Sequence, residues 1–353
     1  MTEHVRPLYC QTALPIFQNR MYDSPAEGRE CPKGEMYLVE QLGTGLVYNA
    51  AFDPALMSYD ANYQNEQGFS SQFRAHLNAV ADLVEATMGP TRLIEVGCGK
   101  GTFLQMLLAR GIDVTGFDPA YEGTDPRVRK EYFSESLGIS CEGLILRHVL
   151  EHIADPMAFL RRIAASNGHK GLIYIEVPCF EWICRNRAWY DIFYEHVNYF
   201  RLSDFDRMFD RVLYSAQAFG GQYLTVVADL ATLRNPVRNP CDPVEFPADF
   251  TKHLTSETER SVGPTIVWGG ASKGVIFALL RARAGHPVHR VIDINPAKQG
   301  RFIPGTGLQV LSPEEGLAGL PEGSTIYVMN PNYLDEIRAI AGSRFICRGV
   351  HND

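Results

Sequence analysis

The chain has 353 residues, 41 acidic side chains against 33 lysines and arginines, and a net charge of −8. That balance, with no basic run, argues against nucleic acid as the main partner, and no apolar stretch approaches the roughly 20 residues of a membrane span. Eight scattered cysteines without a Cys-x-x-Cys pair, and no basic-then-apolar leader, point to a reduced, cytoplasmic protein long enough for two or three domains.

Residues 1 to about 60 show weak periodicity, many tyrosines and several turn signals. Residues 67–88 carry apolar side chains at helical spacing and predict an amphipathic helix. A strand follows at Leu93, Ile94 and Val96, and it runs into Gly97-Cys98-Gly99-Lys100-Gly101 and a helical pattern through Phe103, Leu104, Met106, Leu107 and Leu108. Glycine permits a tight turn and close approach of backbone N–H groups to a ligand, and the helix start points its positive end at the same place. The spacing is not the dehydrogenase fingerprint, whose third glycine falls three residues after the second.

A second strand over 113–117 ends on Asp118, a carboxylate able to accept both hydroxyls of a ribose; a solvated Asp in a generic βαβ unit is the plainer alternative. Gly143-Leu144-Ile145-Leu146-Arg147 predicts another strand, with His148 at its end and Glu151 and His152 expected to cap and orient the next helix. Residues 171–178 give a further strand. Asn235 to Pro243 and Pro247 form a proline-rich break, read as a linker. Strands at 265–268, 288–294 and 325–329, with a helix over 275–283, predict a second, smaller parallel sheet. Its turn, Gly269-Gly270-Ala271-Ser272-Lys273-Gly274, reads equally as an anion site using Lys273 or as simple strand–helix packing.

Glu95-x-Gly97-x-Gly99-x-Gly101, Asp118 and His148-Val149-Leu150-Glu151-His152 resemble the class I S-adenosylmethionine (SAM) methyltransferases. The whole chain resembles the three-part C-methyltransferases of nucleotide-linked keto-sugars. That second likeness rests on Tyr194-Glu195-His196, the turn 269–274, Asp293-Ile294-Asn295-Pro296-Ala297-Lys298-Gln299-Gly300 and Pro304-Gly305-Thr306-Gly307. The resemblance implies an α/β fold with a Rossmann-like class I methyltransferase core, a smaller C-terminal α/β domain and a small N-terminal zinc-ribbon-like remnant. It divides the chain into 1–66, a SAM domain at 67–232, a linker at 233–261 and a C-terminal substrate-binding domain at 262–353.

The same resemblance implies SAM as cofactor and S-adenosylhomocysteine as product, held by Glu95, Gly97, Gly99, Gly101, Asp118 and His148. Phe133 either flanks the adenine or belongs to the core, and Tyr63 either touches the methionine end of SAM or packs in an N-terminal lid. The family carries two Cys-x-x-Cys zinc pairs, whereas here the first reads Cys10-Gln11-Thr12-Ala13 and the second aligns with Gln41-Leu42-Gly43-Thr44. Structural zinc needs four ligands, so no zinc is expected, and packing of Tyr37, Leu38, Leu46 and Tyr48 is expected to hold the N-terminal unit.

The family's Tyr-x-Glu-His reads Phe193-Tyr194-Glu195-His196 here. C-methylation beside a ketone needs a base for the carbon-bound proton and a donor for the enolate oxygen. His196 fits the base, with Glu195 as its orienting partner or a substrate contact. Phe193 lacks the hydroxyl, for which Tyr194 or Tyr199 is the expected substitute. Arg185, Arg187, Lys273 and Ser272 are candidate contacts to a diphosphate. The best reading is C-methylation of a nucleotide-diphosphate keto-sugar. Two others stand beside it: O-, N- or C-methylation of a non-sugar metabolite, and a SAM- or nucleotide-binding regulatory protein with an eroded site.

Overall fold

Three sheets organise the chain in the computed structural model, which describes residues 4–57, 68, 70–89, 91–255 and 263–350. The N-terminal strands are β1 (Val5–Pro15), β2 (Lys33–Gln41) and β3 (Val47–Asn49). The central strands are β4 (Leu93–Val96), β5 (Val114–Phe117), β6 (Val128–Arg129), β7 (Gly143–Arg147) and β8 (Leu172–Pro178). A short β9 (Asn198–Tyr199) precedes β10 (Val212–Ala218) and β11 (Tyr223–Asp229). The C-terminal strands are β12 (Ile266–Trp268), β13 (Arg290–Ile292), β14 (Val310–Leu311), β15 (Thr325–Val328) and β16 (Ile346–Gly349).

The central sheet has the order β10-β11-β8-β7-β4-β5-β6. Its five strands from β8 to β6 are parallel, and β11 and β10 close one edge as an antiparallel hairpin. All four residues of β4 are buried, and β7 and β8 are buried through most of their length. Continuous apolar runs of this kind belong to strands covered on both faces. The edge strand β10 is mostly exposed. This arrangement is the Rossmann-like α/β methyltransferase fold.

The helix Ser71–Met88 starts four residues later than its periodicity suggests, because Ser70 caps it: its Oγ accepts from the Phe73 N–H at 3.3 Å. Phe73, Leu77, Val80, Ala81, Val84 and Met88 form its buried face. The next cap also differs from expectation. Asp155, not Glu151 or His152, caps the helix Pro156–Ser166, accepting from Ala158 N–H at 2.8 Å.

The C-terminal sheet is fully parallel, in the order β14-β13-β12-β15-β16. Two of its strands, β14 and β16, have no counterpart in the sequence reading. The first has two residues, and the second interleaves Arg348 among apolar neighbours, so neither presents a periodic run.

The N-terminal sheet pairs β1, β2, β3 and β9, all antiparallel. Leu38 and Leu46 are buried as expected, together with Leu14, Ile16, Met36 and Val47. Tyr37 is instead 38% exposed, because alternation along β2 turns it away from Met36 and Leu38. Cys10 lies exposed on β1 opposite Tyr37, and Cys31 is buried at the end of the helix Pro25–Glu30.

Residues 233–255 contain neither helix nor strand. They are nevertheless packed: Val244 and Phe250 are buried, and Arg238 joins Arg6 on the buried carboxylate of Glu40, each at 2.7 Å. No helix among the described residues is long and apolar enough to cross a membrane.

Candidate active site

At the carboxyl end of β4 the chain turns through Gly97, Gly99 and Gly101, all at positive φ (76°, 55° and 80°). A side chain at Gly97 would also collide with Val149. Gly101 caps the helix Thr102–Ala109 with no side-chain acceptor. The Gly99 N–H donates to Asp118 Oδ2 at 2.8 Å, and Asp118 Oδ1 accepts from Ala120 N–H at 2.8 Å. Asp118 therefore sets the shape of the turn, and each oxygen retains a lone pair for a ribose hydroxyl.

Beneath the turn, Glu95 is buried, and its Oε2 has no hydrogen-bond partner among the described residues. Burial pushes its pKa up to about 8; Arg147 opposes the rise and Asp118 adds to it. An orphaned buried carboxylate oxygen beside a glycine cradle is the donor set that a cationic aminoacyl ligand such as SAM would complete.

Glu95, Gly97, Gly99, Asp118, Phe133, His148, Ser272, Lys273 and His196 all line one cleft of about 1250 Å³. A single small ligand usually occupies roughly 300–1,000 Å³, so the cleft has room for a cofactor and an acceptor together. Phe133 meets Phe117 edge-on at 5.3 Å. The opposite wall comes from the C-terminal sheet through Trp268, Gly269, Asp293 and Asn295.

On the central-sheet side lies a buried charge cluster around Glu176 of β8, which the sequence reading missed. The Glu176 carboxylate accepts from Tyr174 Oη at 2.8 Å, Arg147 Nη2 at 2.9 Å and His76 Nε2 at 3.1 Å. His148 Nε2 lies 3.1 Å from it, and His148 Nδ1 lies 3.3 Å from Glu151 Oε1. Burial alone would raise the Glu176 pKa, but Arg147, His148 and His76 hold it well below the usual carboxylate range. Burial likewise disfavours the His148 cation, yet its ion pairs with Glu151 and Glu176 outweigh it and push that pKa to about 9. A lone acid inside the apolar run 171–178 was the available signal, since a buried carboxylate demands partners.

At the far end, the His196 ring contacts Phe193 at 4.0 Å and meets His152 edge-on at 4.9 Å. His196 Nδ1 has no hydrogen-bond partner among the described residues. Burial, then the fields of His152, His148 and Lys273, hold its pKa well below the ordinary value. His196 is thus a neutral imidazole near neutral pH, with a lone pair able to take a proton.

The remaining expected residues lie elsewhere. Glu195 does not orient His196: its Oε2 accepts the Gln18 N–H at 2.9 Å, and its carbonyl accepts from His152 Nδ1 at 2.9 Å. Tyr194 is turned into the N-terminal sheet, where its Oη accepts from the Asp53 N–H at 2.8 Å. Tyr199 Oη accepts from Phe193 N–H at 3.0 Å and donates to the Phe193 carbonyl at 3.2 Å. Neither tyrosine lines the cleft, so neither replaces the hydroxyl absent at Phe193.

Arg187 pairs with Asp249 at 3.1 Å, and Arg185 is exposed; both lie outside the cleft. Lys273 lines it, but its Nζ is already bonded to Asp191 Oδ2 at 2.9 Å and Gln222 Oε1 at 2.8 Å. Ser272 has a φ of 24° and bonds Asn19 Oδ1 at 3.3 Å. Tyr63 lies outside the described residues.

Residues 65–212 match a family described as a methyltransferase domain. The chain is 26% identical over 322 residues to the C-methyltransferase NovU of Streptomyces niveus, covering 77% of this chain and 76% of that protein. Among solved structures it is similar to a SAM-dependent methyltransferase from Archaeoglobus fulgidus (17% identity, 46% of this chain, 97% of that one, TM-score 0.33). It is also similar to the 1,6-didemethyltoxoflavin N1-methyltransferase of Burkholderia thailandensis (15% identity, 52% and 95%, TM-score 0.34). The strand order, the glycine turn at its centre and the methyltransferase-domain match over the same residues make this chain a SAM-dependent methyltransferase, which takes its methyl group from SAM and releases S-adenosylhomocysteine.

Proposed function

We propose that the enzyme methylates a carbon beside the ketone of a nucleotide-diphosphate sugar, with His196 as the general base. The observation that carries this reading is the neutral, buried His196 with an open Nδ1, in the same cleft as the glycine turn. Bound SAM supplies an electrophilic methyl group. His196 takes the proton from the acceptor carbon, leaving an electron pair on that carbon and on the ketone oxygen. Lys273, which lines the same cleft as Phe193, substitutes for the missing phenol. Its ammonium has three N–H donors, two of which Asp191 and Gln222 use, so one is left for an oxyanion.

The C-terminal sheet supports the nucleotide part of the proposal. Residues 262–353 then form the substrate-binding domain, with Ser272, Lys273 and the Asp293 strand end facing the cleft. The relative from Streptomyces niveus, a C-methyltransferase by name, supports carbon as the acceptor atom.

A second reading, methyl transfer to oxygen, nitrogen or an activated carbon of a non-sugar metabolite, is favoured by Phe193 itself, since such acceptors need no enolate donor.

The test is a thermal-shift and calorimetry screen of the protein with S-adenosylhomocysteine against nucleoside diphosphates and nucleotide sugars. A ligand that binds only the native state raises its stability. A clear shift with one nucleotide supports the sugar reading. A shift with S-adenosylhomocysteine alone removes it in favour of the second.

A further inference from the structure

We propose that Glu151, His152 and His196 form a binding site for one first-row divalent metal ion, of the Zn2+ and Co2+ type, opening into the acceptor end of the cleft. One ring nitrogen of each histidine and a carboxylate oxygen of Glu151 lie within 4.8 Å of one another. Ligands on a metal at 2.0–2.1 Å sit roughly 3–3.5 Å apart, so the three side chains need to close by about an ångström. Two imidazoles and one carboxylate suit borderline metals and leave coordination positions open.

Three features distinguish this group from an accidental cluster. First, His152 donates from Nδ1 to the Glu195 carbonyl, which leaves its Nε2 as a lone pair; metal-binding histidines are fixed this way. Second, His148 Nδ1 lies against Glu151 Oε1, while Glu151 Oε2 is buried and has no partner among the described residues. Third, His196 Nδ1 is likewise buried and unpartnered. Glu151 Oε2 and His196 Nδ1 are thus both buried without a hydrogen-bond partner among the described residues, which is costly unless a cation or a donor arrives.

The backbone holds the two halves of the site together. Val197 N–H donates to the Glu151 carbonyl at 2.8 Å. Asn198 Nδ2 donates to the carbonyl of Ile153 at 2.6 Å. The turn bearing Glu151 and His152 is therefore fixed against the segment bearing His196, as a preorganised site requires.

The metal and the proton would compete for one atom set. A metal-bound His196 has no lone pair for the acceptor, so, resting on the base assignment above, an occupied site is an inhibited enzyme.

The experiment is a titration of the full-length, metal-free protein with Co2+, followed by visible absorption, with Zn2+ as competitor. One equivalent of Co2+ displaced by Zn2+ is expected. Glu151→Gln and His196→Gln are each expected to weaken it by more than about 100-fold, since even supporting residues cost 10–100-fold. Cys10→Ser is expected to leave binding unchanged. His152→Asn gives a third variant should either of the others fail to fold. No stoichiometric binding, or binding indifferent to these three side chains, overturns the site.

Binding with unaltered methyl transfer would keep the site and remove His196 as the base. Absence of binding together with an inactive His196→Gln enzyme would do the reverse.

Discussion

The N–H of Gly270 donates to Asp293 Oδ2 at 2.8 Å, reproducing in the C-terminal sheet the contact that Gly99 makes with Asp118 Oδ2 at 2.8 Å in the central one. In each case a glycine turn after one parallel strand is held by an acid at the end of its neighbour, and both turns face the same cleft. Such strand ends are where open parallel sheets bind ligands. Asp118→Ala is therefore expected to weaken S-adenosylhomocysteine at least tenfold and leave nucleoside diphosphates unaffected, and Asp293→Ala to do the opposite. Calorimetry with each ligand separates the two. Equal losses for both ligands in either variant would show that the turns are only structural.

His196→Gln is expected to lower turnover by about 10² to 10⁴ while leaving the S-adenosylhomocysteine affinity within about twofold. Tyr194→Phe is the matched control. Its hydroxyl serves the Asp53 N–H and not the cleft, so it should cost about 1 kcal/mol of stability and almost no turnover. A Tyr194→Phe enzyme as slow as His196→Gln would return the tyrosine to the mechanism.

Glu95 gives cofactor binding a pH dependence. With its pKa raised by burial to about 8, it is protonated at pH 7 in the free enzyme, whereas accepting from the cofactor ammonium needs the carboxylate. Binding should release close to one proton at pH 7, and affinity should rise with pH up to about 8. Calorimetry in buffers of different ionisation enthalpy measures the proton directly, and Glu95→Gln should abolish it. The stability sign is the reverse. The folded state holds a proton that the unfolded chain loses near its ordinary pKa, so Glu95 costs up to about 1.4 kcal/mol per pH unit between that value and about 8. Glu95→Gln should therefore melt higher at pH 8 without ligand.

Glu176 should be the most damaging single position in the core. Glu176→Gln leaves Arg147 buried without its counter-charge, a change that typically costs 3–5 kcal/mol. Its carboxylate is held far below the usual range, so the stability it contributes is present above the unfolded pKa and lost as pH falls through the folded one. Denaturant melts from pH 7 downward should converge for wild type and variant. Parallel curves would mean that Glu176 is not the acid-sensitive group.

The glycine turn was legible because its cause is local: Gly97, Gly99 and Gly101 each sit at a positive φ that other residues resist. The central strands were legible because β4, β7 and β8 are buried on both faces and read as apolar runs broken only by Glu95, Arg147 and Glu176. What escaped was set by distance along the chain. Nothing near Glu195 announces that Gln18 will take its carboxylate, nor does the turn at Lys273 reveal that Asp191 will neutralise it. Aligning a family pattern assigned Tyr194 and Tyr199 to the cleft, but a two-residue strand at Asn198–Tyr199 turns that segment toward the N-terminal sheet.

That small strand also governs the order in which the molecule can assemble. β9 follows His196 by two residues and pairs with β3, so Val47, already paired with Glu40 of β2 on one side, meets Tyr199 on the other. During synthesis the first sheet must wait with an open edge while the whole parallel half of the central sheet emerges. Long-range pairing of this kind slows folding, and an open edge invites wrong partners. A ribosome-bound chain halted before residue 199 would thus carry the glycine turn and its parallel strands but leave the outer edge of β3 unpaired. The N-terminal sheet is complete only when its earliest and middle segments have met.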